Sequence, residues 1–185
     1  MTRPDVIRPF VEQAIKAFLK LDEVVVWDDG TIPISAGSTV VRVVLLEGPF
    51  DHAMVRFWAP VLQGIEATPE LLTKLNELNT RMSFLRSFFT EGQAIVAMEL
   101  LAETLDNEQI AFAIRIVSAQ ADFLDGELSK TFGGKVTTPP GPAHPAPEGS
   151  GAKTPVKAAS GQPPASDQGQ APAAAPADEE TPGYI

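Results

Sequence analysis

The stretch TPELLTKLNELNTRMSFLRSFFTEGQAIVAMELL, residues 68–101, decides the fold, because it reads as a helix with a marked start running straight into a β-hairpin. Thr68 is a natural N-cap, and Pro69 sits where a missing N–H costs nothing. Advancing about 100° per residue, Leu71, Leu72, Leu75, Leu78 and Met82 gather on one arc, while Glu70, Thr73, Lys74, Glu77 and Arg81 take the opposite side. Asn79 falls inside the apolar arc, and a buried amide needs partners. Either it satisfies loop or strand backbone groups, or it sets the register of a contact across a dimer interface. Phe84–Phe89 and Gln93–Leu101 then pair across the turn Thr90-Glu91-Gly92.

N-terminal to that stretch, residues 5–21 have helical periodicity, with Ile7, Phe10, Val11, Ala14, Ile15, Phe18 and Leu21 on one face; Pro9 suits only a position near the helix start. Val24–Trp27 is a short β-branched run stopped by Asp28-Asp29-Gly30, a turn signal, so a strand is expected there with Thr31–Ser35 returning beside it. Thr39–Leu46 and His52–Leu62 follow as longer strands joined through Gly48-Pro49. Both are apolar on two faces: Val41, Val43 and Leu45 alternate with Val40, Val44 and Leu46, and Val55 and Phe57 with Met54 and Trp58. Such strands belong in a sheet covered twice, or covered once with the other face kept for a partner. Arg42 and Arg56 interrupt the runs on adjacent strands. Brought together they would make a small cationic spot suited to a carboxylate; apart, they are solvated rim residues.

On the C-terminal side, Asp106 and Gln109 have the spacing of a capping box, and the helix they open runs to Phe132 before Gly133-Gly134. Ile110, Ala113, Ile114, Val117, Ala121, Leu124, Leu128 and Phe132 form its core face. A second stripe, Phe112, Ile116, Ala119 and Phe123, lies opposite. It is covered either within the monomer or by a second copy or an amphipathic client segment.

Composition changes after Gly134. Residues 135–185 hold eleven Pro and eleven Ala among 51 positions, with Tyr184 their one aromatic, so they are expected to form a disordered, acidic Pro/Ala-rich tail. Residues 1–134 contain both Trp and all ten Phe, enough for one compact domain. The tail's end, Asp178-Glu179-Glu180-Thr181-Pro182-Gly183-Tyr184-Ile185, packs three acids beside Tyr184 and Ile185. Either this is a random end, or it is a short linear motif docking on another protein or on this domain's own apolar surface.

The chain carries a formal net charge of −10, which disfavours nucleic acid and anionic membranes as partners. Cysteine is absent, so there is no disulfide framework or thiolate chemistry. With no sustained apolar stretch, a cytoplasmic protein without membrane partners is expected. The sequence lacks a phosphate-binding glycine loop, an HExxH motif and clustered metal ligands. His52, the only histidine before the tail, sits at a turn. Nothing supplies a nucleophile, base or metal, so neither catalysis nor a cofactor is expected.

The order helix, four strands, helix, two strands, long helix, with TPELLTKLNELN at 68–79, the hairpin after it, and TLDNEQI at 104–110 through FGG at 132–134, resembles the YbjN-like family of bacterial proteins. The chain resembles the actinobacterial members in particular. That family is related to the type III secretion chaperones of the CesT and YopN-binding kind. The resemblance covers residues 5–134 and none of the tail. It implies an α+β fold, an antiparallel sheet packed with three helices, often homodimeric, binding an extended or amphipathic client segment. The expected client or dimer surface comprises Val41, Val43, Val55 and Phe57 on the sheet, Phe112, Ile116, Ala119 and Phe123 on the last helix, and Asn79. The alternative is an interaction subunit that recruits its partner through Tyr184 and Ile185.

Overall fold

A computed structural model describes residues 4–36, 39–135 and 143–145. Three helices, α1 (Pro4–Leu19), α2 (Pro69–Asn79) and α3 (Asn107–Phe132), accompany six strands: β1 (Ile32–Ala36), β2 (Thr39–Glu47), β3 (Ala53–Gln63), β4 (Arg86–Thr90), β5 (Gln93–Leu101) and β6 (His144–Pro145). The strands form one sheet in the order β4-β5-β3-β2-β1-β6. It is antiparallel except at its end, where β6 runs parallel to β1, so the sheet is mixed.

The opening stretch folds as its residues dictate. Thr68 Oγ1 accepts from Leu71 N at 3.2 Å, and Pro69 is the first helical residue. The β4–β5 turn places Glu91 and Gly92 at φ 48° and 74°, the two successive positive values that a two-residue hairpin of the right twist requires. At α3, Asp106 and Gln109 exchange side-chain to backbone bonds of 2.7 and 3.0 Å. Helix α1 begins at Pro4 and carries Pro9 within it, one turn earlier than Pro9 alone would suggest.

Two expectations about the sheet are corrected. Val24–Trp27 is not a strand. The Asp28-Asp29-Gly30 turn does form, closed by Trp27 N to Thr31 O and Gly30 N to Trp27 O, both 2.8 Å. Pairing stops there because His144–Pro145 already occupies the β1 edge, and Val25 N donates to the His144 imidazole Nε2 rather than to a strand. The sixth strand therefore comes from residues beyond Gly134. Lys135 also pairs with Gln63 through bonds of 2.9 and 3.0 Å, and Gly134, at φ 83°, allows that crossing, since a Cβ there would lie 2.9 Å from Gln63 O.

All three helices cover one face of the sheet. Val41, Val43, Val55, Phe57, Ala59, Val96 and Met98 meet Val11 and Ile15 of α1, Leu71 and Leu75 of α2, and Ile110, Ile114, Val117 and Leu124 of α3 in a single apolar core. A salt bridge of 2.6 Å between Lys74 and Glu127 ties α2 to α3 on the outside.

Candidate functional site

Strand alternation assigns the expected surface residues to opposite fates. Val41, Val43, Val55 and Phe57 are fully buried, because the odd-numbered positions of β2 and β3 face the helices. They are core, and the reading of them as a client surface is corrected. The face left open by the helices carries their alternates: Val44, Leu46, Met54, Arg56 and Trp58, all half-buried, and Leu101, exposed. Pro33, Val40, Pro60 and Ile95 of that face are themselves buried.

Asn79 is used inside the monomer. Its Nδ2 donates to Ser87 O at 2.9 Å, its Oδ1 accepts from Ser87 N at 2.6 Å, and Ser87 Oγ donates to Leu75 O at 3.0 Å. The amide thus occupies both outward-facing backbone groups of one residue on the free edge of β4. Satisfaction of strand backbone is the role its amide takes within the monomer.

The second stripe of α3 is only partly open. Ile116 packs against the core and Ala119 is half-buried, whereas Phe112 and Phe123 are 45% and 42% exposed. Phe112 lines a cleft of about 710 Å³ between α1 and α3. Ala14, Ala17 and Phe18 form one wall, Ala111, Phe112 and Arg115 the other, and Asp106–Gln109 close the end. The wall is low because α1 presents alanine at two positions, leaving room between helices that would otherwise meet. Outside the cleft, Phe84, 76% exposed, meets Phe112 edge-on with centroids 6.2 Å apart. Arg115 lies over the Phe18 ring at 5.1 Å, so its charge is held against one wall, and the cleft's end is left to Asp106 and Glu108.

Sequence periodicity did not single out Phe84, Ala17 or Phe18 as site residues. Phe84 reads as the start of a strand, and the alanines carry no signal until two helices are placed side by side. Tyr184 and Ile185 lie outside the described residues. His52 is half-exposed beside Glu103, Nδ1 to Oε1 3.2 Å. The same carboxylate accepts from Ala53 N, and that backbone bond, more than the histidine, lowers its pKa. These groups hold the β2–β3 connection against the segment after β5. Among the described residues no helix is long and apolar enough to cross a membrane.

Three helices cover one face of the sheet and leave an apolar cleft between α1 and α3, and among the described residues no group of three or more His, Cys, Asp or Glu could hold a metal ion. Over residues 5–140 the sequence matches the family described as T3SS (YopN, CesT) and YbjN peptide-binding chaperone 1, and the chain belongs to that family. A chain of the crystal structure of the ExsC–ExsE complex superimposes with a TM-score of 0.51 at 16% identity, covering 68% of this chain and 96% of that one. A chain of the HopA1–SchA chaperone–effector complex gives a TM-score of 0.49 at 10% identity, covering 71% and 99%. The first of these shows a shared fold. No curated protein sequence matches the chain.

Proposed function

We propose that this protein is a non-catalytic, cytoplasmic chaperone that holds an apolar client segment in the α1–α3 cleft. The observation that carries the proposal is the exposed Phe84–Phe112 pair at the cleft mouth. A solvent-facing aromatic pair continuous with an apolar groove is costly to leave wet and is where a partner's side chains gain most. Burying each ring contributes about 1.5–3 kcal/mol before ordering costs. Asp106 and Glu108 at the closed end favour a segment that carries a basic residue beside its apolar anchors. Family membership supports a peptide client in general; its seat in the cleft is the proposal.

Homodimerisation belongs to the same proposal, through the Phe123 end of the stripe, which lies about 16 Å along α3 from Phe112 at 1.5 Å per residue. One set of variants tests both halves. Phe84→Ser with Phe112→Glu should abolish client capture by the full-length protein from its native host while leaving the circular dichroism spectrum unchanged. Phe123→Glu should convert dimer to monomer by light scattering. Capture that survives the first pair of substitutions sinks the cleft, and a mass unmoved by the second sinks the dimer surface.

A further inference from the structure

The open sheet face holds a feature that the cleft does not use. Cross-strand register sets Arg42, Trp58, Ala97 and Arg86 in one row, Val44, Arg56 and Glu99 in the next, and Leu46, Met54 and Leu101 beyond. Arg42 and Arg56 are thus diagonal neighbours on one face. Glu99 Oε1 binds Arg56 Nε at 2.7 Å and also takes Arg86, so one carboxylate serves two guanidinium groups.

Arg42 has no such partner. Its guanidinium is held between two indoles, 4.5 Å from the Trp58 ring and 5.5 Å from the Trp27 ring. Its Nε is buried without a hydrogen-bond acceptor, and among the described residues no carboxylate lies within ion-pair distance of it. Asp29 acts on it only at longer range. A clamped, dehydrated guanidinium with an unmatched donor is preorganised for a carboxylate.

The chain itself carries carboxylates on a tether that leaves the sheet close to this place. β6 pairs with β1 and β1 with β2, so Pro145 leaves the sheet about 10 Å, two strand spacings, from the strand of Arg42. Residues 146–177 are rich in Pro, Ala and Gly and as a coil would span about 30 Å. They are followed by Asp178, Glu179 and Glu180, and then by Tyr184.

We propose that the acidic segment Asp178–Glu180 docks on the open sheet face as an intramolecular ligand, one of its carboxylates bound by Arg42 between Trp27 and Trp58. Tyr184 then covers the apolar row of Leu46, Met54 and Leu101. Tethering makes the contact local, so a modest intrinsic affinity suffices.

The chain contains one tyrosine and two tryptophans, Tyr184 and the two indoles that flank Arg42. Tyrosine-to-tryptophan energy transfer in the full-length protein therefore reads the proposed contact directly. Tyr184 emission should be quenched in the wild type and recover in a full-length variant with Asp178→Asn, Glu179→Gln and Glu180→Gln. A synthetic peptide of residues 176–185 should bind that variant and shift its tryptophan emission. Arg42→Gln introduced into it should weaken the peptide's Kd about tenfold or more, the loss expected for a charge-assisted hydrogen bond, with Arg42→Lys between the two. Equal Tyr184 emission in wild type and tail variant overturns the proposal, as does a Kd indifferent to Arg42. A scrambled acidic peptide that binds as tightly also overturns it, by assigning Arg42 to acidic partners at large. If Arg42→Gln does not fold, the tail substitutions decide alone. The α1–α3 cleft is a separate site, so either claim can fail without the other.

Discussion

Asn79 does for the β4 edge what a neighbouring strand would do, with a single side chain. A primary amide offers its oxygen and one of its two N–H donors side by side, which lets it match Ser87 N–H and C=O together. It also blunts an edge that would otherwise invite another chain. Asn79→Ala removes both bonds and should cost about 1–2 kcal/mol, read as a lower urea midpoint with unchanged slope. Asn79→Asp, which can accept but not donate, should also destabilise. A neutral result for both would mean that water replaces the amide. That Asn79 needs partners is legible from its place on the helix arc; that the partner is Ser87 depends on how α2 lies across β4, which no spacing encodes.

His144 is the other residue whose role depends on a single proton. Burial lowers its pKa, and the bond from Val25 N, which Nε2 can accept only while unprotonated, favours the neutral imidazole as well. The folded state therefore binds the proton less readily than the unfolded state, whose value is about 6.5. The stability contributed by β6 is present above that value and is lost as pH falls through and below it. The protection factor of the Val25 amide, corrected for the intrinsic pH dependence of exchange, should be high at pH 8 and fall as acidification protonates His144, while amides of β3 and β5 stay protected. Uniform loss of protection across the sheet would show that His144 is not the cause. Beyond Gly134 the composition gives no hint that a histidine flanked by Ala143 and Pro145 closes a sheet edge.

At the scale of elements, alternation in β2 and β3 predicts two apolar faces but not which one the helices take. Val41, Val43, Val55 and Phe57 sit under α1 and α3, while Trp58, Met54 and Leu46 face out, a difference of one residue in register. Helix α3 resolves the same ambiguity in part, since its core stripe and cap are clear in the sequence but the openness of its second stripe depends on where α1 and Phe84 come to rest. Phe57→Ala should therefore cost about 3–5 kcal/mol, a large-to-small change in a closed core. Phe112→Ala should change stability by about 0.5 kcal/mol or less, as surface substitutions do. Similar urea midpoints for the two variants would contradict this division of core from surface. The missing strand at Val24–Trp27 has the same origin. Its β-branched residues fit a strand, but its would-be partner edge is taken by a segment more than a hundred residues away in sequence.

Among the described residues, apolar groups are exposed on both sides of the sheet, at the α1–α3 cleft beyond the helices and on the Arg42 face opposite them. Family membership supports peptide binding, and under the proposed function the net charge of −10 would favour clients whose apolar segments carry basic residues. The central claim is that the client occupies the cleft. It is tested most directly by placing the photocrosslinker p-benzoylphenylalanine at Ala17 of the full-length protein in its native host, with Phe50, on an exposed loop, as the control position. The account predicts a discrete crosslinked product at Ala17, mapped by mass spectrometry to an apolar segment with basic residues, absent at Phe50 and lost on adding Phe112→Glu. Equal labelling at Ala17 and Phe50, or an Ala17 product indifferent to Phe112→Glu, would contradict it.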